Sequence, residues 1–128
     1  MDFSFPKKER LREKKQIATL FEQGRSINDF PIKLIYLKTS FEDDTTLKTM
    51  VVVPKKKIRG AVKRNRIKRL LRETFRLNKH LIFNNNANSF AFAILYLGKE
   101  MPNYHLLNKK VMGIINTFNK KVAHVEKK

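Results

Sequence analysis

Apolar positions recur along this chain in two rhythms. From Leu11 to Gln23, Ile17, Leu20 and Phe21 fall at helical spacing and predict a short helix, with Gly24 placed as its left-handed stop. From Pro31 the period shortens. The run Ile32-Lys33-Leu34-Ile35-Tyr36-Leu37 is β-branched and aromatic, and a strand there puts Ile32, Leu34 and Tyr36 on one face. Polar Ser40, Glu42, Asp43, Asp44 and Thr45 predict a turn before a second strand from Leu47 to Val53. Its Met50-Val51-Val52-Val53 core suits burial on both faces, and Pro54 ends its pairing. A β-hairpin is the simple connection between these two strands. Between Gly60 and His80 the helical period returns, with Ile67, Leu70, Leu71, Thr74 and Phe75 on one side. A loop holding Asn84, Asn85, Asn86 and Asn88 leads to a strand from Phe90 to Leu97, closed by Gly98. After Pro102, Leu107, Val111, Ile114, Ile115, Phe118 and Val122 predict a final amphipathic helix. A short extra strand fits near Ile27, so the expected class is α+β, in the order α-β-β-β-α-β-α.

Length and charge narrow this picture. A chain of 128 residues buries one modest core, so residues 1–128 are expected to form one domain with flexible ends at 1–10 and 123–128. Lys and Arg number 29 against 11 Asp and Glu, a formal charge of +18 whose self-repulsion calls for an anionic partner and favours a monomer without one. No apolar run is long enough to cross a bilayer, and Met1 to Arg12 is charged and broken by Pro6, unlike a secretory signal. With no Cys there is no disulfide framework, which fits a reducing, cytoplasmic setting.

The charge is concentrated. Lys55, Lys56, Lys57, Arg59, Lys63, Arg64, Arg66, Lys68, Arg69, Arg72, Arg76 and Lys79 place twelve cations between Lys55 and Lys79, with Glu73 the only acid. At about 100° per residue, Asn65, Arg69, Arg72 and Arg76 fall on the helix face away from the apolar stripe, flanked by Lys68 and Arg66. Arg meets phosphate oxygens bidentately and Lys as a point charge, so an array fixed on a helix can grip several phosphates at once. A solvated face serving only dispersion would carry the same charges but needs no such order.

The order is informative. The stretch from Pro54-Lys55-Lys56-Lys57-Ile58-Arg59-Gly60 through Lys63-Arg64-Asn65-Arg66-Ile67-Lys68-Arg69 to Arg76 resembles the signature of the bacterial ribonuclease P protein component: an Arg-Asn-Arg helix preceded by a buried strand and a Lys-Lys pair. The likeness extends more weakly over nearly the whole chain. It implies a mixed four-stranded sheet with packed helices and the uncommon left-handed β-α-β crossover, which handedness rules do not suggest. It also implies a subunit of a ribonucleoprotein endonuclease that removes the 5′ leader from precursor tRNA, with hydrolysis by the RNA subunit and its bound Mg²⁺. The residues implied against ribonuclease P RNA are Lys63, Arg64, Asn65, Arg66, Lys68, Arg69, Arg72 and Arg76. A leader cleft between the first helix and the sheet would include Ile17, Phe21, Lys33 and Ile35, with Lys55 and Lys56 at its rim. The chain departs from the family where Ile17 and Ile35 replace aromatic residues, because aliphatic side chains cannot stack on unpaired bases. For Phe21, core packing and base contact are both open readings.

An independent active site finds no support in the residues. His80, His105 and His124 lack ligand spacing, and Glu42-Asp43-Asp44 is an acidic run in a turn. A ribosomal-type RNA binder shares the charge, and a helix-turn-helix DNA binder would need a helix where Met50 to Val53 reads as strand.

Overall fold

In the computed structural model, residues 5–82 and 88–126 are described, with side chains through Val122; the Asn84-Asn85-Asn86 stretch lies outside the described residues. The elements are α1 (Lys14–Gln23), β1 (Arg25–Asp29), β2 (Ile32–Thr39), β3 (Leu47–Val52), α2 (Ala61–Asn78), β4 (Ser89–Tyr96) and α3 (Tyr104–Glu126). This is the expected α+β order, including the short strand at Ile27.

Two strands with nearly continuous apolar sequence, β2 and β4, take the middle of one four-stranded sheet ordered β1-β2-β4-β3. Strand β4 runs antiparallel to β2, Leu34 facing Ile94, and parallel to β3, Val51 facing Ile94. The expected hairpin between β2 and β3 is therefore absent, since β4 lies between them. A parallel β3-β4 pair requires a long crossover, and α2 supplies it. The hairpin in the sheet joins β1 and β2, with Ile27 opposite Leu34.

Side-chain alternation divides the core between the two faces of the sheet. Ile32, Leu34, Tyr36, Val51, Phe92, Ile94 and Tyr96 pack beneath α2 and α3, which contribute Ile67, Leu71, Phe75, Leu107, Ile114, Phe118 and Val122. The opposite face gathers Ile35, Ala91 and Ala93 under Leu20 of α1, together with Leu11. Small Ala91 and Ala93 let α1 approach closely. Between the helices of the first face, the buried Asn78 amide donates to the Asn108 side chain at 2.6 Å and to the Thr74 carbonyl at 2.7 Å, so its N–H groups are satisfied.

Helix α1 begins at Lys14, three residues later than the apolar pattern suggests. Leu11 is buried, and its N–H donates to the Thr49 carbonyl at 3.0 Å, extending cover along the outer edge of β3. Within the end expected at 1–10, of which residues 1–4 lie outside the described residues, the Phe5 ring lies 5.6 Å from that of Phe75 in α2, and Glu9 pairs at 2.7 Å with Lys79 just past that helix. Gly24 ends α1 with extended dihedrals, φ −70° and ψ 155°, and not in the left-handed region. Its need for glycine is steric. A Cβ there would collide with the Leu20 carbonyl oxygen and come within 2.7 Å of Ile35 Cγ2.

Candidate nucleic-acid interface

Packing against the sheet fixes how α2 faces outward. Ile67, Leu71, Thr74, Phe75 and Asn78 are buried, while Lys63, Asn65, Arg66, Arg69 and Arg72 are exposed and Lys68 is half-buried on the flank. The face expected from the helical period is thus the one presented. Gly60 precedes the helix and its first turn holds no acid, so Lys63 and Arg64 add charge to the already positive end of the helix dipole.

Two of the eight expected cationic or polar contacts are engaged within the protein. Arg64 falls on the inward side, and its guanidinium donates to the carbonyls of Ile58 at 3.0 Å and Arg59 at 2.6 Å. With Ile58 buried, this bond ties the 54–60 turn to the start of α2 and so positions exposed Lys55, Lys56 and Lys57. Arg76 makes a two-pronged pair with Glu73, at 2.6 and 3.2 Å, which holds the Glu73 carboxyl below the usual carboxylate range and raises Arg76. Arg64→Ala is expected to destabilise the half-buried turn by about 1–2 kcal/mol and to raise amide exchange through residues 55–60. Hydrogen-exchange mass spectrometry checks this, and unchanged protection there would make Arg64 a surface charge only.

One cation was not legible from the pattern. Arg10 approaches the same flank from the amino-terminal segment, its guanidinium 5.3 Å from the centre of the Phe5 ring. Arg72 is pulled down from its ordinary value by partial burial and then by the nearby Arg10 charge. Two like charges are thus held close on one surface.

On the other face of the sheet, α1 borders a shallow apolar floor. Lys33 on β2 lies opposite Leu95 on β4, which lies opposite Val52 at the end of β3. All three are half-buried, and Lys55 and Lys56 follow closely beyond Val52. Ile35 is only 9% exposed and Ile17 is half-buried against the same cluster, so both act as floor and wall. Phe21 is 43% exposed, and its ring is the one aromatic of α1 open to solvent. Its exposure argues against plain core packing.

Asp43 accepts hydrogen bonds from the Thr45 hydroxyl and N–H and pairs with Lys48 at 3.1 Å, contacts that bring its pKa down to about 2. Among the described residues, no group of three or more His, Cys, Asp or Glu side chains is placed to hold a metal ion, and no helix is long and apolar enough to cross a membrane.

Comparison with known proteins places this geometry. The family model described as Ribonuclease P matches residues 5–119. The chain is 34% identical over 110 residues to a ribonuclease P protein component from Porphyromonas gingivalis, covering 84% of this chain and 80% of that protein. It is 32% identical over 126 residues to the component from Chlorobium phaeobacteroides, covering 88% and 86%. Among solved structures, the RNase P protein from Thermotoga maritima superposes with a TM-score of 0.67 at 25% identity, covering 84% of this chain and 94% of that one. The Staphylococcus aureus RNase P protein has the same fold, with a TM-score of 0.69 at 18% identity and coverage of 85% and 94%.

Proposed function

Because the chain belongs to the ribonuclease P protein family, we propose a division of labour between its two faces within the ribonucleoprotein that removes the 5′ leader from precursor tRNA. The chain is the protein subunit of that endoribonuclease, and phosphodiester hydrolysis belongs to the RNA subunit. The outward face of α2, with Lys63, Asn65, Arg66, Lys68, Arg69 and Arg72, docks on ribonuclease P RNA, while Arg64 and Arg76 act through the contacts that hold their own helix and turn. The floor beside α1 receives the single-stranded leader, with Phe21 offering a ring, Lys33 a charge from the floor, and Lys55 and Lys56 charges at the rim.

The observation that carries this reading is the separation of surfaces: a rigid cationic helix on one side and an apolar floor with one open aromatic ring on the other. A duplex or folded RNA is met by the first, an unpaired strand by the second. Mg²⁺ enters with the RNA subunit, where the hydrolysis takes place. The subunit works in the cytoplasm, as a monomer until RNA is bound, because a charge of +18 opposes self-association.

A leader-dependence assay tests the proposal. The reconstituted complex should bind precursor tRNA more tightly than mature tRNA, and equal affinities would leave only a general RNA binder. Phe21→Ala should reduce that preference by about 1–3 kcal/mol, the worth of one base stack, with little loss of stability. A large fall in melting temperature without a change in preference would return Phe21 to a packing role.

A further inference from the structure

Around the corner of the sheet from that floor lies a concavity of about 250 Å³ to which the activity described so far assigns no role. Arg25 at the start of β1, Lys38 near the end of β2 and Lys121 on α3 line it, with Tyr36, Phe90 and Val122 as apolar wall. No acid lines it. Four cations elsewhere are matched to carboxylates: Lys48 to Asp43, Arg76 to Glu73, Lys79 to Glu9 and Lys110 to Asp29. Arg25, Lys38 and Lys121 form no such pair among the described residues, although they come from three separate elements. A larger hollow, about 360 Å³, differs in kind: it mixes Lys8, Lys79 and His80 with Glu9 and Asp44, and its Lys79–Glu9 pair is closed. Only the smaller one has the single sign that a polyanion needs.

Its position relative to the leader floor identifies the polyanion. Arg25 follows Phe21 through the end of α1 and stands directly opposite Tyr36 in the β1–β2 register. Lys38 lies three residues beyond Ile35, about 10 Å along β2, with its side chain on the opposite face beside Tyr36, so a strand leaving the floor must round the sheet to reach it. We propose that this concavity is a second subsite for the single-stranded 5′ leader, taking nucleotides that lie beyond the floor beside Phe21. Arg25, Lys38 and Lys121 meet the phosphates, and Tyr36, Phe90 and Val122 shelter a base. The inference rests on the leader-binding reading above and deepens it, because it predicts that leader length matters to affinity.

The test uses the full chain reconstituted with a bacterial ribonuclease P RNA and precursor tRNAs carrying either a short leader, enough for the floor alone, or a long one. The variant is Arg25→Ala with Lys38→Ala and Lys121→Ala, all exposed positions, with folding checked by circular dichroism. For the long leader, affinity at about 0.1 M salt should fall on the order of tenfold to a hundredfold, and the salt slope should flatten by about 2. Short-leader precursor and mature tRNA should bind both proteins alike. The charge-keeping variant Arg25→Lys, Lys38→Arg, Lys121→Arg should restore most of the long-leader affinity. Unchanged long-leader binding, or an equal loss on every substrate, overturns the subsite while leaving the leader floor standing. A wild-type complex that ignores the leader altogether removes that reading and this inference together.

Discussion

Arg69→Ala combined with Arg72→Ala is expected to weaken binding to ribonuclease P RNA by on the order of fiftyfold at about 0.1 M salt. Each lost phosphate contact removes about 0.9 from the slope of log affinity against log salt, so two should flatten it by nearly 2. Both side chains are exposed on the outward face of α2, and neither makes an ion pair among the described residues. Alanine keeps helix propensity, so the fold should survive. Lys109→Ala with Lys120→Ala removes the same charge from exposed positions on α3 and should leave the slope nearly unchanged. Filter binding across a salt series separates the outcomes. An unchanged slope for the α2 pair, or an equal loss from the α3 pair, would mean that net charge alone drives association.

The largest effect on stability is expected at Phe118. This ring is fully buried and meets Tyr36, Phe90 and Phe92 edge-on, with centroids 5.2, 5.1 and 4.8 Å away. It is where α3 locks to the two central strands. Phe118→Ala removes the transfer free energy of the ring and leaves a cavity that a sheet and a long helix cannot close, for a loss of about 3–5 kcal/mol. In a domain of this size that lowers the melting temperature by roughly 10–20 °C. Thermal unfolding followed by circular dichroism measures it, and a loss below about 1 kcal/mol would show that α3 is not a principal part of the core.

Local periodicity made the helices legible. Leu107, Val111, Ile114, Ile115, Phe118 and Val122 are all buried as their spacing requires, and the apolar and cationic sides of α2 fall where about 100° per residue puts them. Strand positions and the face shared by Ile32, Leu34 and Tyr36 were equally clear, although which side that face would turn to was not. Strand neighbours were not, because pairing is a long-range choice: nothing within residues 32–53 reveals that β4, almost forty residues beyond β3, will insert between β2 and β3. Tertiary contacts also decided the two ends of α1. Leu11 left the helical run to bond Thr49, and Gly24 is required by the approach of Ile35 instead of by a left-handed turn.

At the candidate interface, composition and period marked the cationic helix but not the use of each cation. Arg64 and Arg76 share the residue type of Arg69 and Arg72, yet the first ties down a turn and the second meets Glu73 three residues away. The Glu73 pairing has a readable i,i+3 signal. The Arg64 bond depends on a turn geometry without one, and Arg10 reaches the interface only because the amino-terminal segment folds back on α2.

Reconstitution at low Mg²⁺ separates a ribonuclease P subunit from a general RNA binder. Folded protein is mixed with a bacterial ribonuclease P RNA and precursor tRNA, and the release of the 5′ leader is timed with and without the protein. Membership in that ribonucleoprotein predicts faster leader removal when the protein is present and a markedly smaller gain with the Arg69→Ala, Arg72→Ala variant. No acceleration by an intact, folded sample would contradict it.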